Sequence, residues 1–253
     1  MMSALRRRAR LLARRFRSRF RKGIDDPNVP LSLDMGRSSS TLLIAFGGMR
    51  GQLGMPPFEF FKATGGIPVK RLFVRDLRQA WYHRGIPGHG SGIEEVAASL
   101  RELLDRHEVD RLVVAGNSAG GYAALLFGTL LGADTVLGFA PQTVIELDAL
   151  AEMDDHRWDD QIRELLVDGG LDPRFTDLRR ALPDVRRGET RYELYFDDTF
   201  ETDRLQAERL AELDGVELHR MQGGAHSIAR DMRESGELER VLQRALGTAA
   251  APG

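Results

Sequence analysis

The stretch LVVAGNSAGG, residues 112–121, decides how this chain is organised. Its apolar, β-branched beginning is typical of a buried strand, and residues 121–127 have helical character. Between them, Gly116 and Gly120 lack the Cβ atoms that would keep neighbouring backbone apart. The pattern predicts a tight strand-to-helix turn that holds Ser118 in a strained conformation. Its hydroxyl would then stand above the sheet, beside the N–H groups that begin the helix.

G-x-S-x-G is also a common string, so Ser118 could be an ordinary turn residue or a helix N-cap. The strand before it and the helix after it favour a nucleophile instead. A Ser hydroxyl becomes a good nucleophile only when a base takes its proton, and the natural base is a His.

His226 is the best-placed base among the six His residues. It lies in QGGAHS, residues 222–227, after the last predicted strand and before the last predicted helix. The small residues before it allow the loop to fold over the sheet edge and bring the ring to Ser118. The other five occupy a strand, a helix end, loops or the insert described below: His83, His89, His107, His156 and His219.

These two motifs resemble those of the α/β-hydrolase superfamily of serine hydrolases, and the resemblance covers most of residues 41–246. It implies a third catalytic member, a carboxylate that follows the penultimate strand. Asp198, two residues beyond that predicted strand, is favoured, while Asp203 is kept as an alternative that could instead cap the next helix. Asp197 and Glu201 are weaker candidates.

The resemblance also implies an oxyanion hole made of two backbone N–H groups. One is predicted to be Ala119, directly after the nucleophile. The other is predicted in the loop Phe46-Gly47-Gly48-Met49, where it is either Gly48 or Met49. The same glycines could also form a simple tight turn. The motif Asp76-Leu77-Arg78 is interpreted as a structural brace of its loop.

Composition limits the remaining possibilities. The chain of 253 residues contains no Cys, which excludes disulfides and thiolate chemistry. No apolar run reaches the ~20 residues that a membrane span requires, and no metal cluster or nucleotide-binding loop is evident, so no cofactor or metal is expected. The chain shows no cleavable signal pattern, which favours the cytoplasm.

Charge divides the chain unevenly. Residues 1–22 carry ten basic side chains and no acidic ones, so the remainder holds 26 basic against 38 acidic residues. Residues 1–22 are predicted to form a basic amphipathic tail suited to an anionic membrane surface. A solvated tail, or a helix packed on its own acidic domain, is the alternative. Because the body is acidic, no nucleic-acid partner is expected.

After the tail, residues 23–40 read as a linker with a short edge strand at 29–33, followed by an α/β-hydrolase domain at 41–253. Apolar runs predict strands at 41–46, 71–74, 112–115, 135–140, 191–196 and 216–221, alternating with helices that include 57–62, 93–107, 203–213 and 227–246. This order predicts an α/β fold whose mostly parallel sheet has six to seven strands and helices on both faces. Residues 142–190 are a short lid-like insert in place of a large lid, or a plain surface excursion.

The function that this pattern favours is a serine hydrolase of carboxylesterase or thioesterase type, cleaving a small or amphiphilic acyl ester or thioester. The same machinery serves acyltransferases, which use another nucleophile in place of water. The alternative hypothesis is that the chain is not an enzyme but a hydrolase-like binding module attached through its basic tail.

Overall fold

The computed structural model describes residues 23–49, 59–185 and 189–248. Within them the strands are β1 (Leu31–Asp34), β2 (Thr41–Phe46), β3 (Lys70–Val74), β4 (Arg111–Asn117), β5 (Thr135–Phe139), β6 (Arg191–Asp197) and β7 (Val216–Met221). The helices are α1 (Glu59–Ala63), α2 (Ile93–Arg106), α3 (Ala119–Leu131), α4 (Leu147–Glu152), α5 (Asp159–Val167), α6 (Leu178–Val185), α7 (Glu201–Glu208), α8 (Ile228–Glu234) and α9 (Glu237–Ala245). A 3₁₀ turn covers Ala225–Ser227.

The strands form one sheet in the order β1-β3-β2-β4-β5-β6-β7, in which only β1 is antiparallel to its neighbour among the described residues. The chain passes from β2 outward to β3 and then crosses back to β4 on the other side of β2. The loops after β2 and β4 therefore leave the sheet in opposite directions and open a crevice at its carboxyl edge. Register places Phe46, the last residue of β2, opposite Gly116.

Both faces of this sheet are covered, as the apolar runs predict. In β4, Leu112 and Val114 belong to the core on one face, while Val113 and Ala115 belong to the core on the other. The first core includes residues of α2 and α3, and the second includes residues of α1, α8 and α9. The predicted α/β class, with six to seven mostly parallel strands, is confirmed.

Two helix predictions near the carboxyl terminus were wrong in extent. The single helix predicted at 227–246 is broken into α8 and α9, because Gly236 has φ 75°, a left-handed conformation that ends one helix and begins the next. The helix predicted at 203–213 begins at Glu201 and ends at Glu208. Beyond it, Leu210 and Leu213 donate to carbonyls three residues back, which makes tight turns in place of an α-helix.

Several predictions lie outside the described residues. These are the tail at 1–22, the start of the helix predicted at 57–62, and the end of the domain at 249–253. In the described part of the chain, no helix combines the length and the hydropathy needed to cross a bilayer.

A buried imidazole joins the insert to the helix after the nucleophile turn. His83 Nδ1 accepts the backbone N–H of Asp172 at 2.9 Å, so the ring proton is on Nε2, which lies 2.9 Å from the Tyr122 hydroxyl. That hydroxyl donates in turn to the carbonyl of Phe175. Burial lowers the pKa of His83 to about 4, although the nearby Asp172 carboxylate acts in the opposite direction. The ring is therefore neutral at pH 7.

We expect His83 to make the fold sensitive to acid. Between about pH 6.5 and 4 the unfolded chain binds a proton on this residue and the folded chain does not. The free energy of unfolding should therefore fall as the pH falls through this window, by up to roughly 3 kcal/mol. Urea unfolding at pH 7, 5.5 and 4.5 measures the decline. The variant His83→Gln, which keeps a polar side chain but cannot titrate, should decline less steeply, and equal slopes would contradict the prediction.

Candidate active site

Ser118 stands between β4 and α3 in a strained conformation, with φ 56° and ψ −121°. Hydrogen bonds on both sides hold it there. Its N–H donates to the Phe139 carbonyl at 2.9 Å, and its own carbonyl accepts from Tyr122 and Gln142 at 3.0 and 3.2 Å. A non-glycine residue keeps such a backbone only where its surroundings determine it fully. The Ser118 side chain makes no capping bond to α3, which argues against the N-cap interpretation.

This turn, called the elbow (residues 116–120), requires glycine at both ends of its G-x-S-x-G motif. A Cβ atom on Gly116 would lie 1.9 Å from the Gly120 carbonyl oxygen. One on Gly120 would lie 2.4 Å from the carbonyl oxygen of Phe46, at the end of β2. Real Cβ atoms do not approach so closely, so any larger residue would push the elbow away from β2. The sequence interpretation of both glycines is confirmed.

His226 reaches Ser118 from a 3₁₀ turn after β7. Its Nε2 lies 3.0 Å from Ser118 Oγ. Gly223 and Gly224 precede it with φ of 81° and 97°, values that let the loop reverse toward the sheet. The turn is also anchored, because Asp197 Oδ2 accepts the N–H of Ala225 at 2.8 Å. The two residues separated by 108 positions thus meet as the sequence predicted.

The carboxylate against His226 is Asp203, and the sequence preference for Asp198 was wrong. Asp203 Oδ2 lies 2.7 Å from His226 Nδ1, in the first turn of α7. Asp198 instead accepts from Arg220 Nη1 at 2.5 Å, in an ion pair at the surface. The reason is that β6 runs one residue further than predicted and Asp197 caps the turn that follows. This turn directs Asp198 toward β7, and α7 then brings Asp203 to the ring.

The distances assign the proton on the imidazole. An ionised carboxylate can only accept, so the 2.7 Å contact with Asp203 requires the proton on His226 Nδ1. Nε2 is then free of a proton and faces the Ser118 hydroxyl as an acceptor. This is the tautomer that a general base for Ser118 needs.

The loop after β2 lies against the elbow. The N–H of Gly47 donates to the Val74 carbonyl at 2.8 Å, and its carbonyl accepts from the Tyr82 hydroxyl at 2.9 Å. The backbone N–H of Gly47 therefore already has a partner and is not an oxyanion donor. Gly48 lies close to the elbow, since a Cβ built on it would lie 3.3 Å from the Asn117 carbonyl oxygen. Gly48 and Met49 both stay candidates for an oxyanion donor, together with Ala119, whose N–H is the first of α3.

The Asp76 motif acts inside its own loop, as interpreted from the sequence. Asp76 Oδ2 accepts the N–H groups of Ala80 and Tyr82 at 2.7 and 2.9 Å. Burial raises the pKa of this carboxyl, against the opposing effect of those N–H groups. Since Tyr82 in turn holds the carbonyl of Gly47, Asp76 supports the loop beside the elbow from behind.

Sequence reasoning missed one charged neighbour of the site, Arg157. Its Nη1 lies 3.1 Å from Asp203 Oδ1 and 3.2 Å from His226 Nδ1. The available signal was an Asp-x-Arg spacing at 155–157, but the same spacing recurs elsewhere, as at 76–78 and 172–174. The residues flanking these three motifs do not indicate which Asp–Arg pair lies near the site. In the described residues, no group of three or more His, Asp or Glu side chains could hold a metal ion.

Comparisons with known proteins agree with the architecture. No family model and no curated protein matches the chain. Among solved structures it is similar to the capsule O-acetyltransferase of Neisseria meningitidis serogroup A, with 12% identity and a TM-score of 0.63 over 84% of this chain and 90% of that one.

Two further solved structures are hydrolytic enzymes by name. The carboxylesterase EstE1, cloned from a metagenomic library, has 15% identity and a TM-score of 0.53 over 97% of this chain and 98% of that one. The NocB thioesterase domain from the nocardicin cluster has 18% identity and a TM-score of 0.51 over 86% and 99%. Identities this low show a shared fold and leave the substrate open.

Proposed function

Because the chain has the α/β-hydrolase fold, we propose that it is a serine hydrolase that cleaves an ester or thioester through an acyl-Ser118 intermediate. The observation that carries this proposal is the continuous hydrogen-bonded path from Ser118 Oγ through both nitrogens of His226 to Asp203, with distances of 3.0 and 2.7 Å. A surface Ser has no reason to be strained, flanked by obligatory glycines and joined to an imidazole whose far nitrogen meets a buried carboxylate.

Each residue then has one role. Ser118 Oγ attacks the acyl carbonyl carbon while His226 Nε2 takes the hydroxyl proton. The carbonyl oxygen becomes an oxyanion that accepts from Ala119 N–H and from Gly48 or Met49 N–H. His226 gives its proton to the departing alcohol or thiol, and the acyl group stays on Ser118. Water, deprotonated by His226, releases the acid and restores the hydroxyl. Asp203 holds the imidazole and stabilises its charged form throughout.

Acyl transfer is the second candidate. A hydroxyl compound in place of water at the last step would make the same site an acyltransferase, and the neighbour with a TM-score of 0.63 is an O-acetyltransferase by name. The two differ only in which nucleophile reaches the acyl-enzyme, so the triad alone favours neither. Product analysis separates them: hydrolysis alone gives free acid, whereas transfer gives a new ester when a hydroxyl acceptor is added.

A fluorophosphonate probe tests whether the site is catalytic at all, because it traps an activated Ser covalently. Labelling followed by a panel of chromogenic esters and acyl-thioesters of increasing chain length identifies the acyl group and the leaving group. If the intact chain takes no label at any pH between about 6 and 9, the enzyme is excluded and a binding module of hydrolase fold is favoured.

We also propose, from the sequence alone, that residues 1–22 attach the protein to an anionic membrane surface. These residues lie outside the part of the chain that the structure describes. A cytoplasmic location is likewise proposed from the sequence alone. Deleting residues 1–22 should abolish co-sedimentation with vesicles that contain anionic lipid and leave ester cleavage intact. Vesicles of zwitterionic lipid are the control, and equal sedimentation of both chains would contradict the proposal.

A further inference from the structure

The guanidinium of Arg157, a residue of the lid-like insert, lies in the candidate active site. Arg157 binds Asp155 through two parallel bonds, from Nε to Oδ1 at 2.7 Å and from Nη2 to Oδ2 at 2.8 Å. Its remaining nitrogen, Nη1, donates to Asp203 Oδ1 at 3.1 Å and also lies 3.2 Å from His226 Nδ1. A protonated Nδ1 cannot accept a hydrogen bond, so the bond of Nη1 goes to Asp203. Asp155 and Asp203 are buried, and a quarter of the Arg157 side chain is exposed. One cation is thus held between two buried carboxylates.

This arrangement restrains the carboxylate of Asp203. A carboxylate with one donor can rotate about its Cβ–Cγ bond, since that torsion has a broad minimum. Asp203 has two donors, His226 on Oδ2 and Arg157 on Oδ1, so the plane of the carboxylate is set at both oxygens. Loss of the second donor frees the rotation, and the partner of His226 Nδ1 is then no longer constrained.

Asp155 balances the charge that Arg157 brings. With a neutral imidazole, Asp155, Arg157 and Asp203 together carry one negative charge, and formation of the imidazolium brings the group to zero. A guanidinium without Asp155 would oppose the imidazolium that forms when Ser118 is deprotonated. Burial acts to raise the pKa of Asp155, but the bonds and charge of Arg157 outweigh it and keep the pKa below its ordinary value. Asp155 is further anchored to α7 by Gln206 Nε2 at 3.3 Å.

The other charged groups near the imidazole are two carboxylates and a second imidazole. Asp197 accepts Ala225 N–H in the 3₁₀ turn, and the Asp231 carboxylate lies beside Gly224. His156, next to Arg157 in sequence, points to Asp154 and Asp159 at the surface. Arg157 is therefore the cation that faces the Asp203–His226 pair among the residues that the structure describes.

We propose that Arg157 is a positioning residue of the active site, which orients Asp203 so that His226 keeps its proton on Nδ1, while Asp155 offsets its charge. The proposal rests on the function proposed above. It predicts an effect on the chemical step and not on substrate binding, because Arg157 acts on the carboxylate behind the imidazole.

The chain contains a matched control. Asp172 and Arg174 in the same insert form the same pair, with Nε to Oδ1 at 3.0 Å and Nη2 to Oδ2 at 2.7 Å. There the third contact goes to Glu94, an exposed residue of α2. Identical substitutions in the two pairs therefore compare the loss of an Asp–Arg pair that contacts Asp203 with the loss of a more exposed pair that does not.

The main variant is the neutral pair Asp155→Asn/Arg157→Gln, which keeps the net charge of the cluster and leaves Asp203 with His226 as its donor. We expect kcat to fall by about 10- to 100-fold with KM changed less than about threefold. Arg157→Lys, which keeps the charge but offers one point of contact, should recover part of the loss. Asp172→Asn/Arg174→Gln should stay within about twofold of wild type. The proposal would be overturned if kcat fell in neither double variant, or if it fell equally in both.

Asp155→Asn alone tests the charge balance. It leaves Arg157 less compensated, so the acid limb of the kcat/KM profile should move to lower pH, by about one unit. In the neutral pair the limb should return toward its wild-type position while kcat stays low. A limb that does not move in Asp155→Asn would contradict the role given to Asp155.

A measurement without turnover keeps this inference separate from the proposed function. In protein with ¹⁵N-labelled His, the two ring nitrogen shifts of His226 report which one carries the proton, and His226→Gln assigns the signal. We expect Nδ1 protonation in wild type and a mixture of tautomers in the neutral pair. If the wild-type protein is inactive and takes no fluorophosphonate label, but the tautomer still changes in the neutral pair, only the proposed function is contradicted. If the wild-type protein is active and both proteins have the same His226 tautomer, only the role of Arg157 is contradicted.

Discussion

Replacing Ser118 by Ala is expected to lower kcat/KM for a cleaved ester by roughly 10³–10⁶-fold and to abolish fluorophosphonate labelling. The hydroxyl is the atom that forms the acyl-enzyme, and no neighbouring group can replace it. His226→Ala should cost about as much, because the two residues act as one unit and their losses do not add. Initial rates and mass spectrometry of the labelled chain measure both effects.

Ser235→Ala provides the control for this experiment. Ser235 follows α8 as its C-cap residue, and its hydroxyl donates to the Met232 carbonyl at 3.0 Å. It should keep wild-type rates within about twofold. Labelling that persists in Ser118→Ala, or a peptide modified elsewhere, would show that Ser118 is not the nucleophile.

Replacing Asp203 by Asn is expected to lower kcat by roughly 10³–10⁴-fold, whereas Asp198→Asn should leave it within about twofold. An Asn amide can turn its NH₂ group toward His226 Nδ1, which then accepts, and the ring proton moves to Nε2. A base that already carries a proton at Nε2 cannot take the one from Ser118. Asp198, paired with Arg220 at the surface, has no such influence.

Folding must be followed in parallel, because Asp203 also accepts from Arg157 and its loss changes a buried charge cluster. Circular dichroism and urea unfolding identify a variant that is inactive because it is unfolded. A folded Asp203→Asn chain with wild-type kcat would contradict the assignment. A large loss in Asp198→Asn together with wild-type activity in Asp203→Asn would restore the preference drawn from the sequence.

The parts of the candidate site whose positions sequence analysis anticipated are those set by local rules. Steric exclusion at Gly116 and Gly120 is a property of neighbouring backbone, so the elbow could be recognised within ten residues. Apolar runs likewise predicted β2 and β4, because side chains on successive residues of a strand face opposite sides of the sheet and both sides are buried here. His226 followed from chain order and small flanking residues.

The failures concern choices among chemically equivalent residues. Asp198 and Asp203 are both Asp in one short segment, and only the extra residue of β6 and the start of α7 decide which one faces the ring. The broken helix at Gly236 follows the same logic, since a Gly lowers helix propensity but packing determines whether the helix ends there.

The sequence by itself determined the α/β class of the fold and the tight turn at Ser118, because these depend on backbone sterics and hydrophobic periodicity over a few residues. The resemblance to a known family added the place of the His226 loop. Only the tertiary structure decided that Asp203 meets His226 and that Arg157 meets both. Those contacts join residues 23, 46 and 69 positions apart, and their geometry depends on how the insert and α7 pack on the sheet. Charge and residue type name the candidates for such contacts, while packing selects among them.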